Sequence, residues 1–127
     1  NVQFVPRNCD TFKLTEHAVA VATVTGTAGI EALFLEKPVF LFGHRFYQHA
    51  PGVYRIHSNE DCKRAVQEIF TEKKKPTLRD IRIFLKAIDN LTAPYEGGPL
   101  RSDQASREER AHEVGLMMRK ILAPLFA

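Results

Sequence analysis

The sequence predicts an α/β fold, with a parallel sheet of about four strands, flanking helices and a helical C-terminus. Short apolar, β-branched runs alternate with helical patterns as far as residue 57, and glycine or proline marks the junctions. From Ser58 onward, apolar residues recur at spacings of three and four, which indicates amphipathic helices. Strands that alternate with helices connect through right-handed crossovers, so this order favours parallel pairing.

The clearest pattern lies in residues 20–43. The first strand of this stretch, about Ala18 to Thr25, is apolar and β-branched, which suits a strand that is central to a sheet and buried on both faces. A helix is predicted from about Ala28 to Glu36. Pro38 ends that helix, because proline disfavours helical geometry in the residue before it. The next strand is expected at Val39–Phe42.

Small and hydroxyl residues form the turn between that strand and its helix. Gly26 is expected to take backbone angles that other residues avoid, and Gly29 to allow the close approach of a chain or a ligand. Thr25 or Thr27 is expected to cap the helix with its hydroxyl. A helix that begins at the carboxyl end of a parallel strand points free N–H groups toward the ligand crevice, so the turn is a predicted anion site.

Patterns of the same kind predict the remaining elements. Two further strands are expected at Val2–Val5 and Val53–Ile56. Further helices are expected at Thr11–His17 with Asp10 as its cap, from Ser58, from Thr77 and from Ser106.

Length and composition restrict the class of protein. A chain of 127 residues can form one core unaided, and no apolar run approaches the roughly 20 residues of a membrane helix. The formal charge of +3 is compatible with phosphorylated ligands, anionic membranes or nucleic acid. Cys9 and Cys62 lack metal-ligand spacing, which favours reduced thiols in the cytoplasm. The basic run Lys73–Lys75 is expected to be a solvated connection.

The chain is expected to be part of a longer protein. A strand is predicted from the first residues, four strands are few for a complete sheet of this kind, and the C-terminal helices have apolar faces that need a partner layer. Glycine and proline at positions 97–99 interrupt the chain. We therefore expect a partial sheet domain at residues 1–98 and a helical extension at residues 99–127.

One series of residues matches a known family pattern. It comprises Val24–Leu33, then Lys37-Pro38-Val39, then Phe42-Gly43 and Phe46-Tyr47. This series resembles the donor-binding half of GT-B glycosyltransferases, most closely the bacterial capsule polysaccharide biosynthesis and export proteins, whose pattern is T-G-T-A-G-x-E-A-L-x-x-G-K-P-V followed by F-G and an aromatic pair. The resemblance covers about residues 1–70 and implies a Rossmann-like, nucleotide-sugar-binding domain.

The resemblance also implies roles for individual residues. In GT-B enzymes a glycine-rich turn lies against the donor's phosphates, and a Glu further along the helix holds the ribose hydroxyls. Carried over by position, the implied donor-binding residues are Thr25, Gly26, Thr27, Ala28, Gly29 and Glu31. A carboxylate is a suitable acceptor for two vicinal hydroxyls, and a helix start favours anions. The alternative for Glu31 is an ordinary solvent-facing position.

The sequence departs from the family pattern in two respects. Glu36 stands where the pattern has glycine, so a left-handed backbone at that position would be altered or strained. The acceptor domain, and the catalytic base expected from it, are not in this chain.

The loop Gly43–Gly52 contains the candidate catalytic residues. It follows a strand at its carboxyl end, where parallel α/β sheets bind their ligands. Arg45 is expected to pair with phosphate or a sugar carboxylate, and His44 to donate to a phosphoryl oxygen. The alternative is a polar loop at the interface with the missing domain.

No metal site is predicted, because the carboxylates are scattered and no D-x-D motif occurs. The other histidines, His17, His57 and His112, are expected to be ordinary strand-end or surface residues.

The predicted function is donor binding in a glycosyltransferase of capsule or surface polysaccharide biosynthesis, without activity of the chain by itself. The expected partners are a nucleotide sugar, the missing N-terminal acceptor domain, and a polysaccharide or lipid-linked acceptor, with no nucleic acid and no cofactor beyond the donor. The expected location is cytoplasmic, with peripheral association at the inner membrane as a further option. Two rivals stay open: a sugar-nucleotide epimerase of the same architecture, and a non-catalytic binding or assembly module.

Overall fold

The computed structural model describes residues 2–92, 111–112 and 115–116. The chain divides into two compact units, residues 1–87 and 88–127. In chain order the elements are α1 (Thr11–His17), β1 (Val21–Thr23), α2 (Ala28–Phe34), β2 (Val39–Leu41), β3 (Val53–Arg55), α3 (Asn59–Val66), a π-helical turn (Gln67–Thr71) and α4 (Leu78–Leu91). The predicted α/β class is confirmed.

The described strands form one parallel sheet in the order β1-β2-β3. Val39 of β2 pairs with Val21 of β1 on one side and Val53 of β3 on the other. Val39 and Leu41 are fully buried, whereas Ala22 of β1 is exposed. The strand before the turn was expected to be central and buried on both faces, and this is wrong. Within the described sheet, β2 has two neighbouring strands and β1 has one.

The strand predicted at Val2–Val5 is not formed. The segment has no regular structure, and Val2 and Phe4 are 84% and 97% exposed. A β-strand needs hydrogen bonds to a neighbouring strand, and no described strand pairs with this segment. The described sheet therefore has three strands where about four were expected.

The core of the first unit lies where α2 packs on β1 and β2. The buried residues of α2 are Gly29, Ala32 and Leu33, which follow the spacing of one helical face. The other buried members of the core cluster are Val39, Leu41, Tyr47, Ala50 and Ile81. Tyr47 and Ala50 belong to the loop between β2 and β3, so this loop is anchored in the core.

Three of the expected helix caps are present. Asp10, Ser58 and Thr77 each accept a hydrogen bond from amides in the first turn of α1, α3 and α4 respectively. Thr27 occupies the N-cap position of α2, but its hydroxyl makes no capping hydrogen bond. The expectation of a threonine cap there is wrong, because the Thr27 backbone is already helical (φ −69°, ψ −21°) rather than extended.

Helix α2 ends at a left-handed residue, Glu36, with φ of +55°. The amides of Glu36 and Lys37 donate back to the carbonyls of Leu33 and Ala32, which is a Schellman C-cap. Glu36 therefore adopts a backbone conformation that is more favourable for glycine than for other residues. Its carboxylate also accepts a hydrogen bond, at 3.1 Å, from the amide of Leu78 at the start of α4. A glycine would relieve the backbone strain but could not form this bond.

The start of α3 depends on the charge of Asp61. Its carboxylate accepts hydrogen bonds from the Ser58 hydroxyl (2.9 Å) and the His57 amide (3.2 Å), and pairs with Arg64 (2.6 Å). These contacts hold the pKa of Asp61 below its ordinary value of 3.8, and the hydrogen bond from the Ser58 hydroxyl has the largest effect. The resulting stabilisation is complete above that ordinary value and is lost as the pH falls through the lower pKa of the folded state.

We therefore expect Asp61→Asn to have a lower free energy of unfolding than the parent near neutral pH. The difference in free energy of unfolding should become smaller in acid. Urea denaturation across the acid range measures this difference. Glu60→Gln removes a neighbouring exposed carboxylate that pairs with Lys63, and serves as the matched control. The same difference in free energy of unfolding between Asp61→Asn and the parent at all pH values would contradict the expectation.

The second unit is described in part. Thr92 Oγ1 donates to the Ile88 carbonyl (3.0 Å) at the end of α4. Ala111, His112, Gly115 and Leu116 are helical, in agreement with the helix expected from Ser106. The rest of that helix, and the domain boundary predicted between residues 98 and 99, lie outside the described residues and stay predictions.

Candidate functional site

Three segments leave the carboxyl edge of the sheet. The glycine turn that begins at Thr25 follows β1, His44 follows β2, and His57 follows β3. Because the strands are parallel, these ends share one edge, which is where ligands bind in open α/β sheets. The residues proposed from the turn and from the loop Gly43–Gly52 are therefore brought to the same edge.

The loop between β2 and β3 fixes the glycine turn by two hydrogen bonds to successive carbonyls. Arg45 Nε donates to the carbonyl of Thr25, and the Tyr47 hydroxyl donates to the carbonyl of Gly26 at 2.5 Å. Both Nη groups of Arg45 have no partner among the described residues. The guanidinium is thus held at the turn with donors still available to an anion.

Tyr47 also explains why a glycine occupies position 29. The Tyr47 side chain is 1% exposed. A Cβ on Gly29 would lie 2.5 Å from the Tyr47 Oη atom and 2.9 Å from Cε2. The close approach expected at Gly29 is confirmed, and the approaching group is this phenol ring. Burial raises the pKa of Tyr47 despite the opposing charge of Arg45, so the phenol stays a hydrogen-bond donor at physiological pH.

Gly26 has a role in the turn that differs from the one expected. Its φ is not positive, so the expectation of unusual backbone angles is wrong. Its amide donates to Thr23 Oγ1 at 3.0 Å, and a Cβ at this position would lie 2.9 Å from the same oxygen. The amide of Gly26 is therefore occupied within the turn. The following residues, Thr27 and Ala28, are exposed, and the first-turn amides of α2 have no acceptor within the helix.

Glu31 lies one turn into α2 and is partly buried. No described residue donates a hydrogen bond to its carboxylate or forms an ion pair with it. Solvent reaches its oxygens, since no described side-chain oxygen is both buried and without a partner. The position is therefore suited to a ligand that carries hydroxyl donors.

The sequence of this chain matches one known protein family. The sequence model of the capsule polysaccharide biosynthesis protein family matches residues 1–95, about three quarters of the chain. The chain belongs to this family. No curated protein and no solved structure gives a significant match. The match includes the turn, α2 and the loop between β2 and β3, so every candidate site residue of this capsule biosynthesis protein lies inside the family region.

The sequence did not predict His57 as a site residue, but the structure places it beside His44. The two imidazole rings are 5.9 Å apart between centroids, with planes tilted by 31°. The Nδ1 atom of His44 lies 3.1 Å from the Gln48 side-chain oxygen, which favours a proton on Nδ1 and leaves Nε2 available. The available signal was positional: each histidine follows the carboxyl end of a strand, and β2 and β3 are neighbours.

Exposed apolar side chains surround the candidate site in this capsule biosynthesis protein. Val24 and Phe46 are 63% and 61% exposed. Phe42 lines a cavity of about 270 Å³ together with Ile56, His57 and Cys62. Exposed apolar side chains therefore occur beside the polar residues that follow the carboxyl ends of the strands.

Neither a membrane-spanning helix nor a metal-binding cluster is found among the described residues. No helix among them is long and apolar enough to cross a membrane. Within the same residues, no three His, Cys, Asp or Glu side chains come together in a way that could hold a metal ion.

Proposed function

We propose that this capsule polysaccharide biosynthesis protein supplies the donor-binding part of a glycosyltransferase. Its donor would be a nucleotide sugar and its acceptor a polysaccharide or lipid-linked chain, held by an N-terminal domain outside this sequence. We further propose that it works in the cytoplasm, at or near the inner membrane, and that it needs no cofactor besides the donor.

The observation that carries the proposal is the fixed turn, which is followed by an accessible carboxylate without a protein partner. Arg45 and Tyr47 donate to the carbonyls of Thr25 and Gly26, so hydrogen bonds fix the turn to the loop between β2 and β3. Glu31 follows on the same helix without a partner among the described residues. A phosphate and a pair of vicinal hydroxyls, as found in a nucleotide, satisfy both features at once.

In the proposed reaction, a glycosidic bond forms between the anomeric carbon of the sugar and an acceptor oxygen. The bond from that carbon to the phosphate oxygen breaks, and the nucleotide leaves with the electron pair. The acceptor proton passes to a base in the absent domain. Within this chain, Thr27 and Ala28 would steady the phosphate, Glu31 would orient the ribose, and His44 with Arg45 would neutralise the charge that develops on the leaving group.

We expect Glu31→Gln to weaken nucleotide binding roughly 10-fold or more, since hydrogen bonds to a charged acceptor are the strong ones. The measurement is a titration of the nitrogen-15-labelled chain with CMP, UDP and GDP, followed through the amide shifts of residues 26–31. Glu16→Gln, an exposed carboxylate on α1, is the matched control.

Equal affinity for the parent and Glu31→Gln would refute the ribose assignment. Failure of every nucleotide to shift the turn, both in this chain and in the full-length parent, would refute donor binding itself. Conversion of a nucleotide sugar into its epimer by the full-length parent without acceptor would favour the epimerase instead.

A further inference from the structure

A second cavity opens at the amino-terminal edge of the sheet, opposite the candidate donor site. Its volume is about 530 Å³. Its lining includes Ala18 and Val19, which precede β1, and Pro38, which precedes β2. Since the carboxyl ends of the same strands lead to the glycine turn and His44, this cavity cannot be part of the donor site.

The lining of the cavity combines apolar and basic residues. Val19, Leu35 and Ile69 contribute apolar surface. Four lysines, named the rim lysines, also line it: Lys37, Lys73, Lys74 and Lys75. A ligand that fits this lining has an apolar part and at least one anionic group.

Three acidic groups lie in or next to this lining, and none of them pairs with Lys37, Lys73 or Lys75. Lys74 pairs with Glu68 (3.2 Å) and Glu72 (2.9 Å). Glu36, which also lines the cavity, accepts the hydrogen bond from the Leu78 amide.

The other three rim lysines have no such partners. Lys37, Lys73 and Lys75 form no ion pair or hydrogen bond with the side chain of any described residue. Three lysines that line one cavity therefore have ammonium donors available, and an ammonium group is a strong partner for phosphate oxygens.

Two helix ends border this cavity. Glu36 (φ +55°) and Lys73 (φ +57°) both line it, and no other non-glycine residue in the described part of the chain has a positive φ. Ile69 reaches the same cavity from the π-helical turn. Both left-handed residues stand directly after a helix C-cap, Glu36 after Leu35 and Lys73 after Glu72, where this conformation is common.

We propose that this cavity binds a phosphate or diphosphate group attached to an apolar moiety, with the phosphate on the lysine rim and the apolar part over Val19, Leu35 and Ile69. Two sources offer this chemistry: the headgroup of an anionic membrane lipid, and a soluble phosphorylated compound. The inference is independent of donor binding at the opposite edge of the sheet.

The test uses two double variants with the same change of net charge. Lys73→Gln with Lys75→Gln removes two rim cations. Lys13→Gln with Lys63→Gln, the control, removes two lysines that pair with acids on the surfaces of α1 and α3. We expect the rim variant to bind phosphatidylglycerol vesicles roughly 30-fold more weakly than the parent, and the control to change binding less than about 3-fold.

The source of the phosphate is decided by a second probe, inorganic pyrophosphate, in isothermal titration. Binding of pyrophosphate that the rim variant loses and the control keeps indicates a soluble ligand, and vesicle binding alone indicates a lipid. Equal losses in the rim and control variants, or no binding of either probe, overturn the proposal. A rim variant that loses stability but not binding shows instead that the lysines only neutralise helix ends. Pyrophosphate binding that Arg45→Gln abolishes and the rim variant keeps would belong to the donor site, which keeps the two proposals separate.

Discussion

Replacing Tyr47 with alanine is expected to lower the free energy of unfolding by about 3–5 kcal/mol, the range for truncation of large buried aromatic side chains. The Tyr47 side chain is 1% exposed and belongs to the main core cluster. It covers Gly29 and holds the carbonyl of Gly26, so the truncation opens a cavity and frees the turn. A loss of this size is a large part of the stability of a small domain. Urea denaturation followed by circular dichroism measures it.

Tyr47→Phe separates packing from hydrogen bonding at this position. It keeps the ring over Gly29 and removes only the bond to the Gly26 carbonyl, so its expected cost is about 1 kcal/mol. A cost for Tyr47→Ala no larger than that for Tyr47→Phe would contradict the core role of the ring. A fall in nucleotide affinity for Tyr47→Phe, at nearly unchanged stability, would assign the hydroxyl to positioning of the turn.

Elements with a local chemical signal were predictable from the sequence. Asp10, Ser58 and Thr77 are side chains that can satisfy free amides wherever a helix starts, and all three do so. The alternation of apolar runs with helices correctly predicted the parallel sheet, and Pro38 correctly separated α2 from β2. Family membership followed from the residues of the turn and of α2, which lie within the matched region.

Properties set by contacts between distant residues were not predictable in the same way. Val2–Val5 has the composition of a strand, but pairing requires a neighbour that the segment does not have among the described strands. Thr27 has a suitable hydroxyl, but its backbone is helical. His44 and His57 lie close together because β2 pairs with β3 in one particular register. The residues next to each histidine in the sequence do not reveal that register.

Gly29→Ala is expected to destabilise the protein by about 1–3 kcal/mol through overpacking. The three atoms nearest the added Cβ all belong to Tyr47, at 2.5, 2.9 and 3.0 Å, and this buried ring cannot move into solvent. In an exposed helix the same change would be favourable by about 0.5–1 kcal/mol, because alanine loses less backbone entropy than glycine. Gly115→Ala is the matched control: Gly115 is helical, and no described atom lies within 4 Å of the Cβ it would gain.

The two expectations about Gly29 and Tyr47 are coupled, so a double-mutant cycle tests them together. Tyr47→Phe removes the atom at 2.5 Å and leaves the ring carbons at 2.9 and 3.0 Å, so it should relieve part of the cost of Gly29→Ala but not all of it. The interaction free energy between the two substitutions is expected to be about 0.5–1 kcal/mol, as for other residues in direct contact. Additive effects within about 0.3 kcal/mol would mean that Gly29 and the Tyr47 hydroxyl do not meet in solution. The bond from the Tyr47 hydroxyl to the Gly26 carbonyl is tested separately, by the cost of Tyr47→Phe alone compared with that of Arg45→Gln.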